Sequence, residues 1–321
     1  MAQHIAYLAG IDISKDRLDV CVRRHDAVAC AVANAADGWD DLVERLRAAG
    51  VGRVAMEATG SYHRGVMRAL QQAGFIVLLL QPKQVRAYAM LRLRRAKTDR
   101  LDAALIADCA AALDDRARAP ADRRFDALVE HLTYIDQLVD DMVRLKTRLE
   151  HIATARIRDA LARRIATLQR QIAAERVLLG RAVRAHDDLG RKLDLVASIP
   201  GIGPVTALCL VVRMPELGTL GRAAAASLAG LAPFVHQSGR YKGETHIGGG
   251  RAPLRRALYM GALSAAFRHH AALAALYRRL VGRGKAPLCA LIACARKLVV
   301  YADAVVARGT KWQPSPPVAD A

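Results

Sequence analysis

The spacing of apolar residues between Leu128 and Leu179 constrains the fold more than any other feature of the chain. Intervals of three and four are the period of an α-helix and exclude a β-strand. The first run is Leu128, Leu132, Ile135, Val139, Met142, Leu145, Leu149 and Ile152, and the second is Leu161, Ile165, Leu168, Ile172 and Leu179. We predict a segment of two long helices at residues 119–190, with a break near 153–159. Such narrow apolar faces suit packing within one chain and an intersubunit coiled coil equally well.

The first hundred residues follow the period of β-strands instead. The segments HIAYLAGIDI, RLDVCVRR and HDAVACAVANA predict three consecutive strands. After them, GWDDLVERLRAAG, VGRVAMEA, RGVMRALQQAG and FIVLLLQP predict a helix, a strand, a helix and a strand. This order indicates an α/β domain at residues 1–118, with a mixed sheet whose later strands are parallel. Sheets of this kind bind ligands at the carboxyl ends of their strands.

The last part of the chain, residues 191–321, is predicted to be a mostly α-helical domain with one long polar loop. Helices are predicted within SIPGIGPVTALCLVV, LGRAAAASLAGLAP and APLRRALYMGALSAAF. The last two are separated by APFVHQSGRYKGETHIGGGR, which is rich in glycine and basic residues and too polar for a core. A loop of this length inside a compact domain is usually functional or disordered.

The charge of the chain predicts a polyanionic partner. The formal net charge is +19 and the pI is about 10.3, and residues 191–321 hold 18 Lys and Arg against five Asp and Glu. Neither a secretory signal nor an apolar run of membrane length is evident, so we expect no membrane partner and a cytoplasmic, nucleoid-associated protein. Six cysteines without a C-x-x-C pair suit reduced thiols. Four Phe and two Trp disfavour an array of aromatic platforms for single strands.

Four carboxylates are candidate metal ligands. Asp99 and Asp102, in AKTDRLDAALIAD, are three residues apart and therefore share one face of a helix. Asp12, in LAGIDISKD, and Glu57, in VAMEATGSY, come at the ends of predicted strands. Each alone suits a turn or a solvated helix start. If all four meet at one edge of the sheet, they require cations, and oxygen-only ligands favour Mg²⁺ or Mn²⁺.

Two basic residues flank the aspartate pair. Lys97 and Arg100 lie beside Asp99, where they suit phosphates next to a metal site. In this interpretation, the acids bind metal and the bases bind the nucleic-acid backbone.

The order of the four acids, D, E, D, D, resembles the RNase H-like domain of the RuvC resolvase type. Farther along, IPGIG, LAGLAP, QSG, GGGR and LRRALYM occur in the order expected of the DEDD transposases of bacterial insertion sequences. Over nearly its whole length the chain resembles the IS110 family, in its IS1111 branch. The resemblance implies that Asp12, Glu57, Asp99 and Asp102 form a catalytic, metal-binding tetrad. It also implies that Ser238, in HQSGR, is a catalytic serine.

The surroundings of Ser238 suit phosphate chemistry, although a serine before glycine is most often a turn residue. Arg240, Lys242 and Arg251 lie within the same segment of the chain and would stabilise a pentavalent phosphate. No general base is evident from the sequence next to Ser238.

Four further residues of the C-terminal domain are candidate nucleic-acid contacts. Gly201 and Gly203, in IPGIGP, suit a helix-hairpin-helix-like turn that presents backbone N–H groups to a phosphate, and equally a tight turn between packed helices. Arg255 and Arg256, in PLRRALYM, begin a helix and would meet backbone phosphates.

The resemblance further implies a recombinase that moves its own insertion sequence. It implies donor and target DNA as substrates, a structured bridge RNA as guide, a covalent serine–DNA intermediate, and homodimers that assemble into a homotetramer. Two alternatives remain open at this point. One is a metal-dependent junction nuclease that needs no serine, and the other is a non-enzymatic nucleic-acid-binding relic of a mobile element.

Overall fold

The protein was analysed as a computed structural model, and the chain divides into two compact units, Met1–Ala121 and Asp122–Ala321. The structure describes residues 7–23, 28–58, 60, 62–93, 99–113, 122, 124–234, 237–238, 241–242 and 246–314. Each unit is described by itself below.

The first unit is built on a five-stranded mixed sheet. Its strands are β1 (Tyr7–Ile13), β2 (Arg17–Arg23), β3 (Val28–Ala33), β4 (Val51–Glu57) and β5 (Ile76–Leu80). Their order across the sheet is β3-β2-β1-β4-β5. Strands β1, β2 and β3 pair antiparallel, whereas β4 and β5 join β1 in parallel. The predicted mixed α/β sheet with parallel later strands is therefore confirmed.

Helices cover both faces of this sheet. They are α1 (Ala36–Ala48), α2 (His63–Gln72), α3 (Pro82–Leu91) and α4 (Asp99–Leu113). Helices α1 and α2 bury residues such as Leu42 and Leu70 against Ile11 and Met56 on one face. Helices α3 and α4 share a second cluster with the opposite face, whose members are Leu8, Ala55, Leu78, Leu80, Val85, Leu105, Ile106, Cys109 and Ala110. The alternation of side chains along β1 and β4 decides which residues face α4.

The second unit is mostly helical. Its helices are α5 (Arg124–Glu150), α6 (Ala155–Arg184), α7 (Asp187–Ala197), α8 (Pro204–Arg213), α9 (Arg222–Leu228), α10 (Ala252–Ser264), α11 (Ala271–Gly282) and α12 (Pro287–Arg308). A short π-helix, Ala265–His269, continues α10. None of the described helices of the chain is long and apolar enough to cross a membrane.

The two long helices predicted from the apolar spacing are α5 and α6. Two hydrogen bonds between them show that they run antiparallel. His131 bonds to Glu175 at 2.8 Å, and Tyr134, one turn later on α5, accepts from Gln171, one turn earlier on α6, at 2.7 Å. The break between the two helices comprises residues 151–154, whereas the predicted break was 153–159. Helix α6 begins earlier than predicted, since Thr154 adopts the extended backbone conformation of a residue that precedes a helix.

The long helices share their hydrophobic core with the region that follows them. Leu128, Leu132 and Leu179 belong to the same buried cluster as Leu210 and Leu298. Residues 119–190, set apart as a segment in the sequence analysis, thus pack with residues 191–321 through α5 and α6. Packing within one chain accounts for this part of the apolar face, and an intersubunit coiled coil stays a prediction.

The polar loop between α9 and α10 contains short strands. They are β6 (Pro233–Phe234), β7 (Gln237–Ser238), β8 (Tyr241–Lys242) and β9 (His246–Ile247). Strand β6 pairs with β9 and β7 pairs with β8, both antiparallel. The described parts of the predicted loop therefore form nested strand pairs, in which two-residue strands depend on local pairing that apolar periodicity does not reveal.

Candidate active site

Asp12 and Glu57 lie side by side at the carboxyl edge of the first sheet. In the parallel pairing of β1 with β4, Gly10 is opposite Ala55 and Ile11 is opposite Met56, so Asp12 and Glu57 are the next residues in register. Asp12 is two residues after Gly10, and Glu57 is two residues after Ala55. Since side chains alternate along a strand, Asp12 and Glu57 lie on the same face of the sheet as Gly10 and Ala55. That is the face on which α4 packs. Both side chains are half-buried.

Helix α4 contacts β1 at Gly10 without any intervening side chain. A Cβ atom on Gly10 would overlap the carbonyl oxygen of Ala103 and lie 2.6 Å from the backbone nitrogen of Ala107. Only glycine allows a helix backbone to approach a strand this closely. The contact places the beginning of α4 beside the end of β1.

An ion pair shows the direction in which α4 crosses the sheet. Arg23 pairs with Asp108 at 3.3 Å, and Arg23 is opposite Leu8 near the start of β1. The later part of α4 therefore lies over the start of β1. Since Ala103 lies over Gly10, the first turn of α4 extends toward the carboxyl end of β1, where Asp12 is located.

The fold thus brings the predicted acids toward one edge of the sheet. Asp102 is half-buried in the first turn of α4, and Asp99 is the first residue of that helix. The side chains of Asp99 and Arg100 lie outside the described part of the structure, as does the whole of Lys97. Asp12 accepts a hydrogen bond on Oδ1 from the backbone N–H of Ile13 at 3.0 Å, which orients its carboxylate.

The donors at this edge fit a hard divalent cation in their chemistry. Carboxylate oxygen is the ligand type that Mg²⁺ and Mn²⁺ prefer. Among the described side chains, no group of three or more His, Cys, Asp or Glu is close enough to hold a metal ion. Because the side chain of Asp99 is outside that set, a tetrad-bound metal stays a prediction.

Asp19 is an additional acid that the sequence analysis did not select. It lies directly opposite Asp12 in the antiparallel pairing of β1 with β2 and is also half-buried. Two carboxylates at such a pair of positions repel each other. Arg17 offsets this repulsion, since its Nη2 atom lies 2.8 Å from Oδ1 of Asp19. The alternation in RLDV is the sequence signal that places Asp19 and Arg17 on the same face.

Ser238 is the last residue of β7 and pairs with Tyr241 of β8. The two strands are therefore joined through Gly239 and Arg240, which lie outside the described residues, as do the side chains of Ser238 and Lys242. The pairing places the backbone of Ser238 at the end of β7, next to the connection between the two strands.

Two of the predicted phosphate ligands make internal contacts. Arg251 donates to the carbonyl oxygen of Arg213 at 2.7 Å and forms a two-pronged ion pair with Glu216 at 2.8 Å. Arg255 donates to the carbonyl oxygens of Gly249 at 2.8 Å and Gly230 at 3.4 Å. The Arg251 bonds hold the end of the glycine-rich loop against the end of α8, and the Arg255 bonds hold it against the residues that follow α9. The geometry gives Arg251 and Arg255 a positioning role in the fold.

Arg256 is different, because its side chain is 69% exposed and its nearest acid, Asp140, is 3.9 Å away. It is the member of the Arg255–Arg256 pair whose guanidinium faces solvent and is accessible to a phosphate.

The IPGIGP turn connects α7 to α8 and is closely packed. Gly201 has a φ of +95°, and a Cβ atom there would lie 2.7 Å from the Cα atom of Ala265. Gly203 precedes α8 and has open space around it. Packing between helices therefore explains Gly201, whereas a phosphate contact at Gly203 stays a prediction.

Comparison with known protein families gives two matches along the chain. Residues 9–157 match the DEDD transposase domain of the IS110 type, and residues 193–278 match the transposase IS116/IS110/IS902 family. Together the matched segments span well over half of the chain and include both the carboxylate edge and the Ser238 loop. The chain belongs to the IS110 family of transposases. The resemblance to the IS110 family noted in the sequence is thereby confirmed, and the assignment of its four acids stays a prediction.

Curated relatives of this IS110-family transposase include two DNA-inverting proteins. The pilin gene-inverting proteins of Moraxella bovis and Moraxella lacunata are each 28% identical to it over 305 residues, which cover 92% of this chain and 94% of each relative. Among solved structures, Thermus thermophilus RuvC and its complex with a Holliday junction substrate each align at 18% identity with a TM-score of 0.26. Each alignment covers 34% of this chain and 96% of the RuvC chain.

The family and the sheet topology establish the general character of this transposase. Its first unit has the RNase H-like strand order and is followed by a mostly helical unit. It is a DNA-cleaving enzyme of transposition and recombination.

Proposed function

We propose that this transposase cuts and exchanges DNA strands with Asp12, Glu57, Asp99 and Asp102 as the ligands of Mg²⁺ or Mn²⁺ and with Ser238 as the nucleophile. The observation that carries the proposal is the arrangement of the first unit. Adjacent parallel strands end in Asp12 and Glu57, and α4 begins at the same edge with Asp99 and Asp102. Packing alone does not account for carboxylates from three elements at one edge, because like charges repel unless a cation or a base compensates them.

The protein side chains have distinct tasks at this edge. The Ile13 N–H group holds the Asp12 carboxylate in one orientation, and the Arg17–Asp19 pair keeps the neighbouring acid neutralised. A bound Mg²⁺ pair would polarise a phosphodiester oxygen and stabilise the charge of the departing oxygen. Lys97 and Arg100, next to Asp99 in the sequence, would hold the flanking phosphates of the strand.

The serine step exchanges one phosphodiester bond for another. The Oγ atom of Ser238 bonds to phosphorus while a phosphorus–oxygen bond of the DNA backbone breaks. The serine hydroxyl loses its proton, the departing sugar oxygen gains one, and no water is consumed. The reverse reaction with a different sugar hydroxyl releases the serine and joins the new strand.

The basic residues around the Ser238 hairpin divide into two groups in this proposal. Arg240 and Lys242 flank the serine and stabilise the pentavalent phosphate. Arg251 and Arg255 hold the loop in place through Glu216 and Gly249, and Arg256 contacts backbone phosphate from the surface of α10.

We extend the proposal to a structured guide RNA and to an oligomer. The net charge of +19 supports contact with more than one nucleic-acid strand. Helices α5 and α6 carry exposed apolar side chains, among them Tyr134, Val143, Val177 and Leu178, which support contact with a second copy of the chain. A dimer that assembles into a tetramer would let Ser238 act beside the carboxylates of another subunit.

The test is a strand-transfer assay on supercoiled plasmids that carry the element's ends and flanking sequence, with the element's RNA and Mg²⁺. It compares the wild type with Asp102→Asn and Ser238→Ala, and detects protein-linked DNA on gels before and after protease treatment. We expect both variants to lose strand transfer, and protein-linked DNA that disappears on protease treatment to form with the wild type alone.

Matched controls separate a chemical role from a folding defect. Asp108→Asn changes another aspartate of α4, one that pairs with Arg23 away from the carboxylate edge, and Ser227→Ala changes an exposed serine of α9. Both should retain strand transfer. If Ser238→Ala still cuts and the wild type shows no protein-linked DNA, the enzyme is a metal-dependent nuclease without serine chemistry. If transfer proceeds equally without the RNA, the guide is excluded.

A further inference from the structure

Helix α12 forms one wall of a basic groove in the second unit. The groove has a volume of about 600 Å³ and is lined by four cationic side chains, Arg222, Arg296, Lys297 and Arg308, together with the rings of Tyr301 and Trp312. All four cations are exposed to solvent. The residues matched by the transposase family models end at 278, so α12 lies beyond them.

The four cations of this groove have no acidic partner among the residues that the structure describes. Within the described part of the chain, none of their side chains forms a hydrogen bond or an ion pair. Asp303, the acidic residue of α12, is buried and accepts from the backbone N–H groups of Gly218 at 2.7 Å and Leu220 at 3.4 Å. The carboxylate of Asp303 is therefore hydrogen-bonded to the loop before α9. Four neighbouring charges of one sign attract a polyanion.

An aromatic cluster lies at the end of the same groove. The rings of Tyr301 and Trp312 are 4.7 Å apart, and His270 lies 5.7 Å from Tyr301 and 5.1 Å from Trp312. The backbone N–H of Trp312 donates to Oγ of Ser198 at 2.8 Å, which ties the residues after α12 to the end of α7. Both the ring and the backbone of Trp312 are therefore held in place, while part of the ring lines the groove.

The combination of separated cations and a fixed ring matches a nucleic-acid strand with an unpaired base. Arg296 and Arg308 are twelve residues apart on one helix, a distance of about 18 Å at 1.5 Å per residue. That length spans several phosphates of a backbone, and Trp312, which is half-buried and lines the groove, offers an indole on which one unstacked base can stack. A base inside a duplex cannot stack on Trp312, because both of its faces are already covered.

We propose that the groove between α11 and α12 binds a single-stranded segment, with its phosphates on Arg222, Arg296, Lys297 and Arg308 and an unpaired base against Trp312. The choice of a nucleic acid as the ligand rests on the proposed function, but the groove lies outside the four carboxylates and the Ser238 loop. The shared chemistry, an unpaired base on a phosphodiester backbone, is offered by RNA and by single-stranded DNA. The two sources are separate arms of the test.

The experiment uses full-length protein with Trp39→Phe, so that Trp312 is the remaining tryptophan of the two in the chain. Short single-stranded RNA, single-stranded DNA and a duplex of the same length are titrated while Trp312 fluorescence and oligonucleotide anisotropy are followed. We expect quenching of Trp312 by a single strand and none by the duplex. Whichever of single-stranded RNA and single-stranded DNA binds with the higher affinity is identified as the ligand of the groove.

The charge contribution is tested with matched double variants. Arg296→Ala with Lys297→Ala removes two adjacent cations of the groove, and Arg163→Ala with Arg164→Ala removes two adjacent exposed cations of α6. The groove variant should weaken the binding that quenches Trp312 on the order of tenfold. It should also lower the slope of log affinity against log salt concentration by about 1.4. The α6 variant should keep the quenching.

Two outcomes would overturn the inference. One is an equal loss of affinity in both double variants, which would mean that net charge alone matters. The other is quenching by the duplex as strong as that by single strands. Because binding is read without cleavage, Asp102→Asn should quench like the wild type, and so failure of the proposed chemistry is distinguishable from failure of the groove.

Discussion

Gly10 of β1 lies directly against the backbone of Ala103 in α4, with no side chain between the strand and the helix. This contact sets where α4 crosses the sheet, and the Arg23–Asp108 ion pair, at 3.3 Å, shows which end of the helix lies near Asp12. The position of Asp102 relative to the strand acids thus depends on a residue that carries no functional group.

Gly10→Ala should disrupt this arrangement. The added Cβ atom would overlap Ala103 and lie 2.6 Å from the Ala107 nitrogen, so α4 must shift. We expect a loss of about 1–3 kcal/mol in the free energy of unfolding of the first unit and a large loss of strand transfer. Urea denaturation and the plasmid assay measure the two effects.

The control for this substitution is Gly180→Ala in α6, where an added Cβ atom meets nothing within 4 Å. There we expect a gain of roughly 0.5–1 kcal/mol, because alanine is favoured over glycine inside a helix. Wild-type stability and activity in Gly10→Ala would show that α4 does not need this contact.

Asp136→Asn should destabilise the second unit. Arg213 is only 10% exposed and its Nη2 atom lies 2.8 Å from Asp136, a bond that joins α5 to α8. Without the carboxylate, the guanidinium is left without a counter-charge in a half-buried site, and we expect a loss of about 1–3 kcal/mol. Asp140→Asn, one turn later on α5, removes a 3.9 Å pair with the exposed Arg256 and should change stability by less than about 0.5 kcal/mol. Urea denaturation of both variants tests the difference, and equal effects would contradict it.

His270 should make the stability of the second unit depend on pH. Burial lowers the pKa of His270 below its ordinary value of 6.5, so the unfolded chain takes up a proton before the folded one does. The free energy of unfolding should therefore fall as the pH drops below 6.5 and be insensitive to this group above it. Burial also raises the pKa of Tyr301, which stacks on His270, and this tyrosine stays neutral throughout that range.

The pH effect is measured by urea denaturation between about pH 7 and pH 5. His270→Asn should flatten the dependence, whereas His269→Asn, which changes an exposed neighbour, should keep the wild-type slope. The assignment fails if the two variants have the same slope.

Cys289 should be the thiol that reacts fastest with a disulfide reagent. It is exposed at the start of α12, whereas Cys21, Cys109, Cys209 and Cys294 are buried and Cys30 is half-buried. Burial raises the pKa of Cys209 to about 11 and suppresses its reactive thiolate at neutral pH. Cys289→Ser should remove the fast phase of labelling by Ellman's reagent. A fast phase that persists in this variant would contradict the burial of the other thiols.

The predicted secondary structure agrees with the structure where one period dominates a segment. The alternation in RLDVCVRR and the intervals of three and four after Leu128 correspond to β2 and α5. The nested strands around Ser238 were not predicted, because two-residue strands are too short to show a period. Asp19 was missed for another reason. Its importance lies in being opposite Asp12, and cross-strand neighbours are not visible in a linear sequence.

The roles of the arginines show the same limit. Arg251 and Arg256 look alike in the sequence as bases near the start of a helix. The structure pairs Arg251 with Glu216, which follows the end of α8, and leaves Arg256 largely exposed on the surface of α10. Composition disfavoured an array of aromatic platforms, yet the chain still brings one tryptophan, one tyrosine and one buried histidine together beside four exposed cations.

By itself, the sequence determined the strand and helix types, the family and the identity of the four candidate metal ligands. Those features depend on local periodicity and on the order of residue types, both of which are properties of a linear chain. Only the tertiary structure decided that Asp12 and Glu57 are next in register, that Gly10 brings the first turn of α4 to their edge, and that α12 and Trp312 form one groove. The physical reason is that these relationships join residues far apart in the chain, and they follow from strand pairing, close backbone contact and helix packing.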